Sequence, residues 1–329
     1  MKIAIIDVGT NTTRLLIAEV EGGHIVREQT RLSRITRLGA GLDASGRLDE
    51  DALARVHAAL SEYTTTVRGL ADIQQVEVLM TSAVRDAKNG RQFADDVLFR
   101  YGVRVHVISG EEEAQLTYRG ATDELEPDDQ ARTLVLDIGG GSTELIVGNG
   151  QLASFNVSTQ IGVVRHSDRH IKSDPPAAEE LDAMAKDVRA TLAEAVPEPE
   201  RGNVVRALAV AGTPTSLAAI DQELDPYDPA KVHGYKLTRQ AVARLYAQLR
   251  DKPLAELKQL KGLHPDRAGV IVPGALILAE VMELFSLGAV QVSEHDILRG
   301  AAVSLANEPA AQKQGARRGW RRLFSKQRT

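Results

Sequence analysis

An α/β fold built twice, each copy a mixed sheet flanked by helices, is predicted by three features of this 329-residue chain. The first is an internal repeat. "AIIDVGTNTTRLLIA" at 4–18 returns as "TLVLDIGGGSTELIVG" at 133–148, and a shift of 130 positions lays Asp7 on Asp137, Gly9 on Gly139, Thr12 and Thr13 on Ser142 and Thr143, and Leu15 on Leu145. The second is the order of periodicities: in each half, three adjacent strand-like runs precede alternating strand and helix patterns. The third is composition. With 43% apolar and 26% charged residues, the chain is an ordinary globular one, long enough for two domains of about 150 residues. One charge is inverted between the copies, Arg14 in the first standing where Glu144 stands in the second.

In order, strands 2–8 and 13–20 and the run "HIVREQTRLSRI" form a meander. A helix follows, with Leu53, Val56, Leu60, Tyr63, Val67 and Leu70 on one face. Strand "VEVLMTSAV", a helix over 91–100, strand "VRVHVIS" and a helix over 111–124 complete the first copy. The acidic "DELEPDDQ" at 123–130 reads as a linker, dividing a domain 1–124 from a domain 125–308. The order then restarts: strands 132–138, 143–149 and 150–158, helix 177–195, strand 206–212 and a helix opening at Thr213. "EAVPEPERGN" reads as a loop. A helical block over 238–285, strand "AVQVSE" and a helix over 296–306, which is free to pack back on the first domain, close the copy. Such a duplication places the two glycine turns on opposite walls of an interdomain cleft, where ligands bind.

Composition excludes several classes. There is no cysteine, so disulfides and thiolate chemistry are ruled out and a reducing compartment fits. The first apolar run is too short for a signal peptide. "AGVIVPGALILAEVMELF" carries Pro273, Glu280 and Glu283, and reads as a buried helix rather than a membrane span. A cytoplasmic protein is expected. The net charge is −5, and residues 309–329 hold seven basic residues and no acid, leaving the body at −12. That tail reads as a flexible terminus without membrane contact, and the acidic body argues against a nucleic-acid-binding core.

Five stretches carry chemistry. In the two turns, glycines let backbone N–H groups converge on an anion. Gly9, Thr10, Asn11 and Thr12 do this in the first, and Gly139, Gly140, Gly141, Ser142 and Thr143 in the second. Asp7 and Asp137 cannot bind phosphate themselves, but suit a divalent cation that does. In "LMTSAVRDAKNG", Ser82 and Arg85 offer a hydroxyl and a guanidinium to a phosphate, although Thr81 and Ser82 equally suit a helix cap. "ISGEEEAQLTYRG" places Glu111, Glu112 and Glu113 at a strand end, as dipole partners of a helix or as a base toward attacking water. "LAVAGTPTSLAA" repeats the anion logic at Gly212 and Thr213, again with capping as the plain alternative. His166 and His170 lack the glutamate of a zinc-protease helix and predict no metal site, and His233 reads as a surface loop residue. No loop of the P-loop, dinucleotide or serine-esterase type is present.

Taken together, "DVGTNTTRLLI", "TSAVRDAKN", "ISGEEEAQLTYRG", "DIGGGSTEL", "VAGTPTSLAA", "VHGYKL", "RAGVIVPGALIL" and "SEHDILRGAA" resemble, in order and over residues 1–306, the exopolyphosphatase / guanosine pentaphosphate phosphatase (Ppx/GppA) family in its short two-domain form. The resemblance implies duplicated ribonuclease-H-like domains of the actin, Hsp70 and sugar-kinase superfamily. It implies metal-dependent hydrolysis of the terminal phosphate of linear polyphosphate, or of guanosine pentaphosphate, with Glu113 as general base on water. Glu144 becomes the second essential carboxylate, near the metal, beside Asp7 and Asp137. Arg14 and Arg85 face phosphate. Mg²⁺ is the implied cofactor, with room for a monovalent cation, and a homodimer is the implied assembly. Longer relatives carry further helical domains, so short polyphosphates are the implied substrate. A small-molecule kinase of the same superfamily and a non-enzymatic actin-like sensor are the readings from other classes.

Overall fold

The computed structural model describes residues 1–126 and 129–307, so the basic tail at 309–329 and part of the acidic segment lie outside it. Its elements begin with β1 (Lys2–Val8), β2 (Thr12–Glu21), β3 (His24–Ile35), α1 (Leu42–Ser45), α2 (Glu50–Arg68), β4 (Ile73–Met80), α3 (Ser82–Asp86), α4 (Gly90–Tyr101) and β5 (Arg104–Val107). Next come α5 (Gly110–Ala121), β6 (Arg132–Ile138), β7 (Thr143–Asn149), β8 (Leu152–Thr159), α6 (Val163–His170), α7 (Ala178–Ala195), α8 (Glu198–Arg201), β9 (Arg206–Val210) and α9 (Gly212–Asp221). The remainder are α10 (Pro229–Val232), β10 (Lys236–Thr238), α11 (Arg239–Arg250), α12 (Leu254–Leu257), α13 (Ala268–Leu284), β11 (Ala289–Val292) and α14 (Ile297–Ala306). They form two compact units, Met1–Ser109 together with α14, and Gly110–Asp296.

The first unit has a five-stranded sheet in the order β3-β2-β1-β4-β5. β1 pairs antiparallel with β2 and parallel with β4. Alternation along β1 sends Ala4, Ile6 and Val8 to one face, where Val56, Leu60, Tyr63 and Val67 of α2 and Phe93 and Val97 of α4 cover them. Each such side chain contributes about 1.5–3 kcal/mol on burial. Asp49 starts α2 by accepting the Asp51 and Ala52 N–H groups, satisfying two donors the helix leaves unpaired. The last helix, α14, lies on β1 and β2 of this sheet. Arg299 Nη1 meets Glu28 Oε1 there at 2.8 Å.

The second unit repeats this plan. Its sheet runs β10-β11-β9-β6-β7-β8, so β8-β7-β6-β9-β11 restates the first order and β10 is added antiparallel at the edge. Leu134, Leu136 and Ile138 of β6 face α7, α9 and α13. Val135 faces away, packing with Ile146, Leu208 and Val210 against Ala114, Tyr118 and Ala121 of α5. This packing of α5 on β7 and β8 moves the division of the chain to Ser109–Gly110, ahead of the acidic segment at 123–130. The expected strand over 76–84 ends at Met80, since Ser82–Asp86 is already helical. The block over 238–285 breaks into α11, α12 and α13, the last containing Pro273. α6 has no counterpart in the sequence reading. Among the described residues, no helix is long and apolar enough to cross a membrane.

Candidate active site

The repeated turns close alike. Gly9 N–H donates to the Thr12 carbonyl at 3.0 Å, and Gly139 N–H to that of Ser142 at 2.9 Å. Register then sets the chemistry, because directly opposed residues of an antiparallel pair share a face. Asp7 lies opposite Arg14, and Asp137 opposite Glu144. In the first unit the opposite charges meet: Arg14 Nε and Nη2 both donate to Asp7 Oδ2, at 3.0 and 2.6 Å. In the second unit the same positions hold two acids.

Glu144 is 1% exposed. Ser158 Oγ donates to its Oε1 at 2.7 Å, and the Ser142 hydroxyl also bonds to it. Burial first, then the charges of Glu113 and Asp137, hold its carboxyl well above the ordinary carboxylate range. Glu113 reaches this place because a glycine begins α5. A Cβ on Gly110 would stand 2.6 Å from Ser158 Cβ, so only glycine lets the helix start come down on β8. Of the three adjacent glutamates, Glu111 and Glu112 are exposed and Glu113 alone is buried.

The charges of Glu113 and Asp137 act on the buried Glu144, and carboxylate oxygens suit a hard divalent cation. Asp7 stands differently, with its Oδ2 held by two nitrogens of Arg14. Among the described residues, the groups whose ligand atoms converge closely are His166, His170 and Asp187, and Glu124, His233 and His295.

The other expected site residues lie at neighbouring strand ends. In the first unit, the Thr81 N–H donates to the Val8 carbonyl at 3.3 Å, which sets Ser82 beside the first turn. Thr81 makes no side-chain cap, and Ser82 Oγ donates to Asp86 Oδ2 at 3.4 Å. Arg85 Nη1 donates to the Ile108 carbonyl at 2.9 Å. In the second unit, Val210 pairs with Asp137, so Gly212 begins α9 next to the second turn. Ala211 precedes it at φ 70°, in the left-handed region. Thr213 is inside the helix rather than its cap, and its side chain lies over Gly274.

Two residues without an assigned role also belong here. Arg267 rests on the start of α9, its Nη1 2.0 Å from where a Gly212 Cβ would stand and 3.4 Å from Ser216 Oγ. A guanidinium beside a helix N-terminus suits an anion placed between them. The quoted segment "RAGVIVPGALIL" contains Arg267, but its helical pattern carries no sign of that position. The second is Arg165 on α6, whose Nε donates to the Gly141 carbonyl at 2.9 Å.

The histidines form hydrogen-bonded groups. His170 Nε2 and Arg169 Nη1 reach Asp187 Oδ2 at 2.8 and 3.1 Å. His166 Nδ1 accepts the Gly162 N–H at 3.3 Å, which puts the proton of the neutral ring on Nε2 and disfavours metal ligation there. Burial holds this imidazole down at about 4. His233 accepts the Glu294 N–H and packs on His295 with ring centroids 4.3 Å apart.

Comparison with known proteins bears on this geometry. Exopolyphosphatase 2 of Mycobacterium tuberculosis is 37% identical, over 93% of this chain and 98% of its own. The Ppx/GppA enzyme of Aquifex aeolicus has a solved structure with a TM-score of 0.76 at 32% identity, covering 92% of this chain and 99% of that one. A guanosine-5'-triphosphate,3'-diphosphate pyrophosphatase of Vibrio atlanticus is 28% identical over 93% of this chain and 59% of its own. Residues 16–308 match the Ppx/GppA phosphatase family, and the chain belongs to it.

Proposed function

We propose that the chain is an exopolyphosphatase that hydrolyses the terminal phosphoanhydride bond of linear, short-chain inorganic polyphosphate. The observation that carries this reading is the buried set of Glu113, Asp137 and Glu144 beside a glycine loop with amides to spare. Among the described residues, no acceptor meets the N–H groups of Gly140, Gly141 and Ser142. These bind and orient the terminal phosphate. Glu113 takes a proton from water as the water oxygen bonds to phosphorus, and the bridging P–O bond breaks toward the shortened chain. Glu144 and Asp137 would hold a divalent cation such as Mg²⁺, which would supply neutralisation of phosphate charge. Ser142 and Ser158 fix the orientation of the Glu144 carboxyl, which burial and the charges of Glu113 and Asp137 hold above the ordinary carboxylate range.

The name of the Vibrio atlanticus relative favours a second reading, removal of the terminal phosphate of guanosine pentaphosphate. Arg267 at the start of α9 suits the further phosphates of either substrate. Phosphate release with Mg²⁺ from short polyphosphate, long polyphosphate and guanosine pentaphosphate tests both. Release from short polyphosphate supports the first reading, and release from the nucleotide alone supports the second. Silence on all three, with ATP consumed only in the presence of an acceptor, overturns both in favour of a kinase.

A further inference from the structure

Helix α6 turns its N-terminal amides onto the back of the glycine loop. Val163 N–H donates to the Gly139 carbonyl at 3.0 Å, Val164 N–H to that of Gly140 at 2.9 Å, and Arg165 N–H to the same oxygen at 3.2 Å. The Gly141 carbonyl is taken by a side chain instead, Arg165 Nε, at 2.9 Å. In a trans peptide the carbonyl and the following N–H point opposite ways in one plane. Drawing the carbonyls of residues 139, 140 and 141 toward α6 therefore aims the N–H groups of 140, 141 and 142 away from it. Those are the three amides that the proposed function gives to phosphate.

The helix is itself held against the loop. A Cβ on Gly162 would lie 2.4 Å from the Gly140 carbonyl oxygen, and the Gly162 N–H is bound by buried His166. In the first unit backbone donors alone meet the two corresponding central carbonyls: Thr36 and Arg37 N–H on that of Asn11, and Gly39 N–H on that of Thr10. Only the second loop leaves one peptide, Gly141–Ser142, to a side chain.

We propose that Arg165 is a positioning residue, whose Nε–H holds the Gly141–Ser142 peptide so that the Ser142 N–H faces the bound phosphate. This rests on the phosphohydrolase reading for its consequence in turnover. Amide contacts made equally in ground and transition states act on KM rather than kcat. The test compares Arg165→Met, Arg165→Gln and Arg165→Lys in polyphosphate hydrolysis, with thermal unfolding alongside. Tripolyphosphate binding is measured by calorimetry in a Glu113→Gln background.

Arg165→Met is expected to raise KM about tenfold with kcat within about twofold and an unchanged unfolding temperature, the size of one lost hydrogen bond. Arg165→Gln, neutral but able to donate, recovers most of the affinity. The inference is overturned if Met leaves KM and tripolyphosphate affinity unchanged. It is equally overturned if Gln falls as far as Met while Lys matches wild type, because charge on the substrate then explains the residue. Should Met fail to fold, the Gln and Lys pair decides alone. An Arg165-dependent tripolyphosphate affinity in a protein that hydrolyses nothing would keep the inference and remove the hydrolase reading.

Discussion

The two glycine turns have the same closure and the same strand register, and among the side chains that differ between them one pair inverts charge. In the first, Arg14 neutralises Asp7 across the strands. In the second, Glu144 faces Asp137 and is buried without a cation among the protein's own side chains bonded to it. The duplicated fold thus provides two like turns, one pairing its acid with a guanidinium and one setting two acids face to face. The lesson is that a charge inversion on a fixed register turns an ion pair into a facing pair of like charges.

The largest effect should follow from removing the acids of the second turn. Glu113→Gln and Glu144→Gln are each expected to lower kcat by at least about a hundredfold, read by phosphate release. The comparison is sharpened by making the turns alike. Glu144→Arg gives the second turn an ion pair like that of Asp7 and Arg14, and should abolish turnover. Its unfolding temperature without Mg²⁺ should exceed that of wild type and no longer respond to the metal.

The pH dependence of stability in metal-free protein tests the same burial. Folded Glu144 titrates above its unfolded value of about 4.3, so the folded state retains a proton that the unfolded chain has released. Stability is therefore present below about pH 4.3 and falls as pH rises toward the folded titration. Glu144→Gln should remove that decline, and Mg²⁺ should oppose it. His166 works the other way. Its folded value is about 4 against 6.5 unfolded, so stability falls as pH drops through that window. Thermal unfolding from pH 4 to 8 separates the two slopes.

A smaller pair of changes tests how each loop is braced. A Cβ on Gly162 meets the Gly140 carbonyl oxygen at 2.4 Å, whereas one on Gly39 meets the Thr10 methyl at 2.2 Å. Backbone cannot yield as a side chain can. Gly162→Ala should thus raise KM and lower the unfolding temperature more than Gly39→Ala does, and equal effects would contradict the described bracing.

Much of this was legible in the sequence. The repeat, the period-2 runs and the helical face over residues 53–70 fix both sheets and their flanking helices, because buried strands and amphipathic helices write their periods directly. The inversion of Arg14 to Glu144 was visible as letters, and register turned it into chemistry. Residues 111–113 were ambiguous since three glutamates in a row have no period; burial of Glu113 alone separates them. The acidic segment reads as a linker, whereas the apolar face of α5, with Ala114, Tyr118 and Ala121, packs on the second sheet. α6 escaped notice because "VVRHSDRH" is short and mostly polar, burying Val163 and Val164 while its first amides meet carbonyls of the loop. Arg267 was hidden for a similar reason, since its place over α9 depends on a contact 55 residues away in sequence from Gly212.

The central claim is that the acidic second turn, with Glu113, is a hydrolytic centre. Its most direct test is phosphate release from short-chain polyphosphate with Mg²⁺, by wild type beside Glu113→Gln. We predict steady release by the wild type and loss of at least about a hundredfold in the variant, with tripolyphosphate binding retained. Equal release by both proteins, or none by the wild type, would contradict the claim.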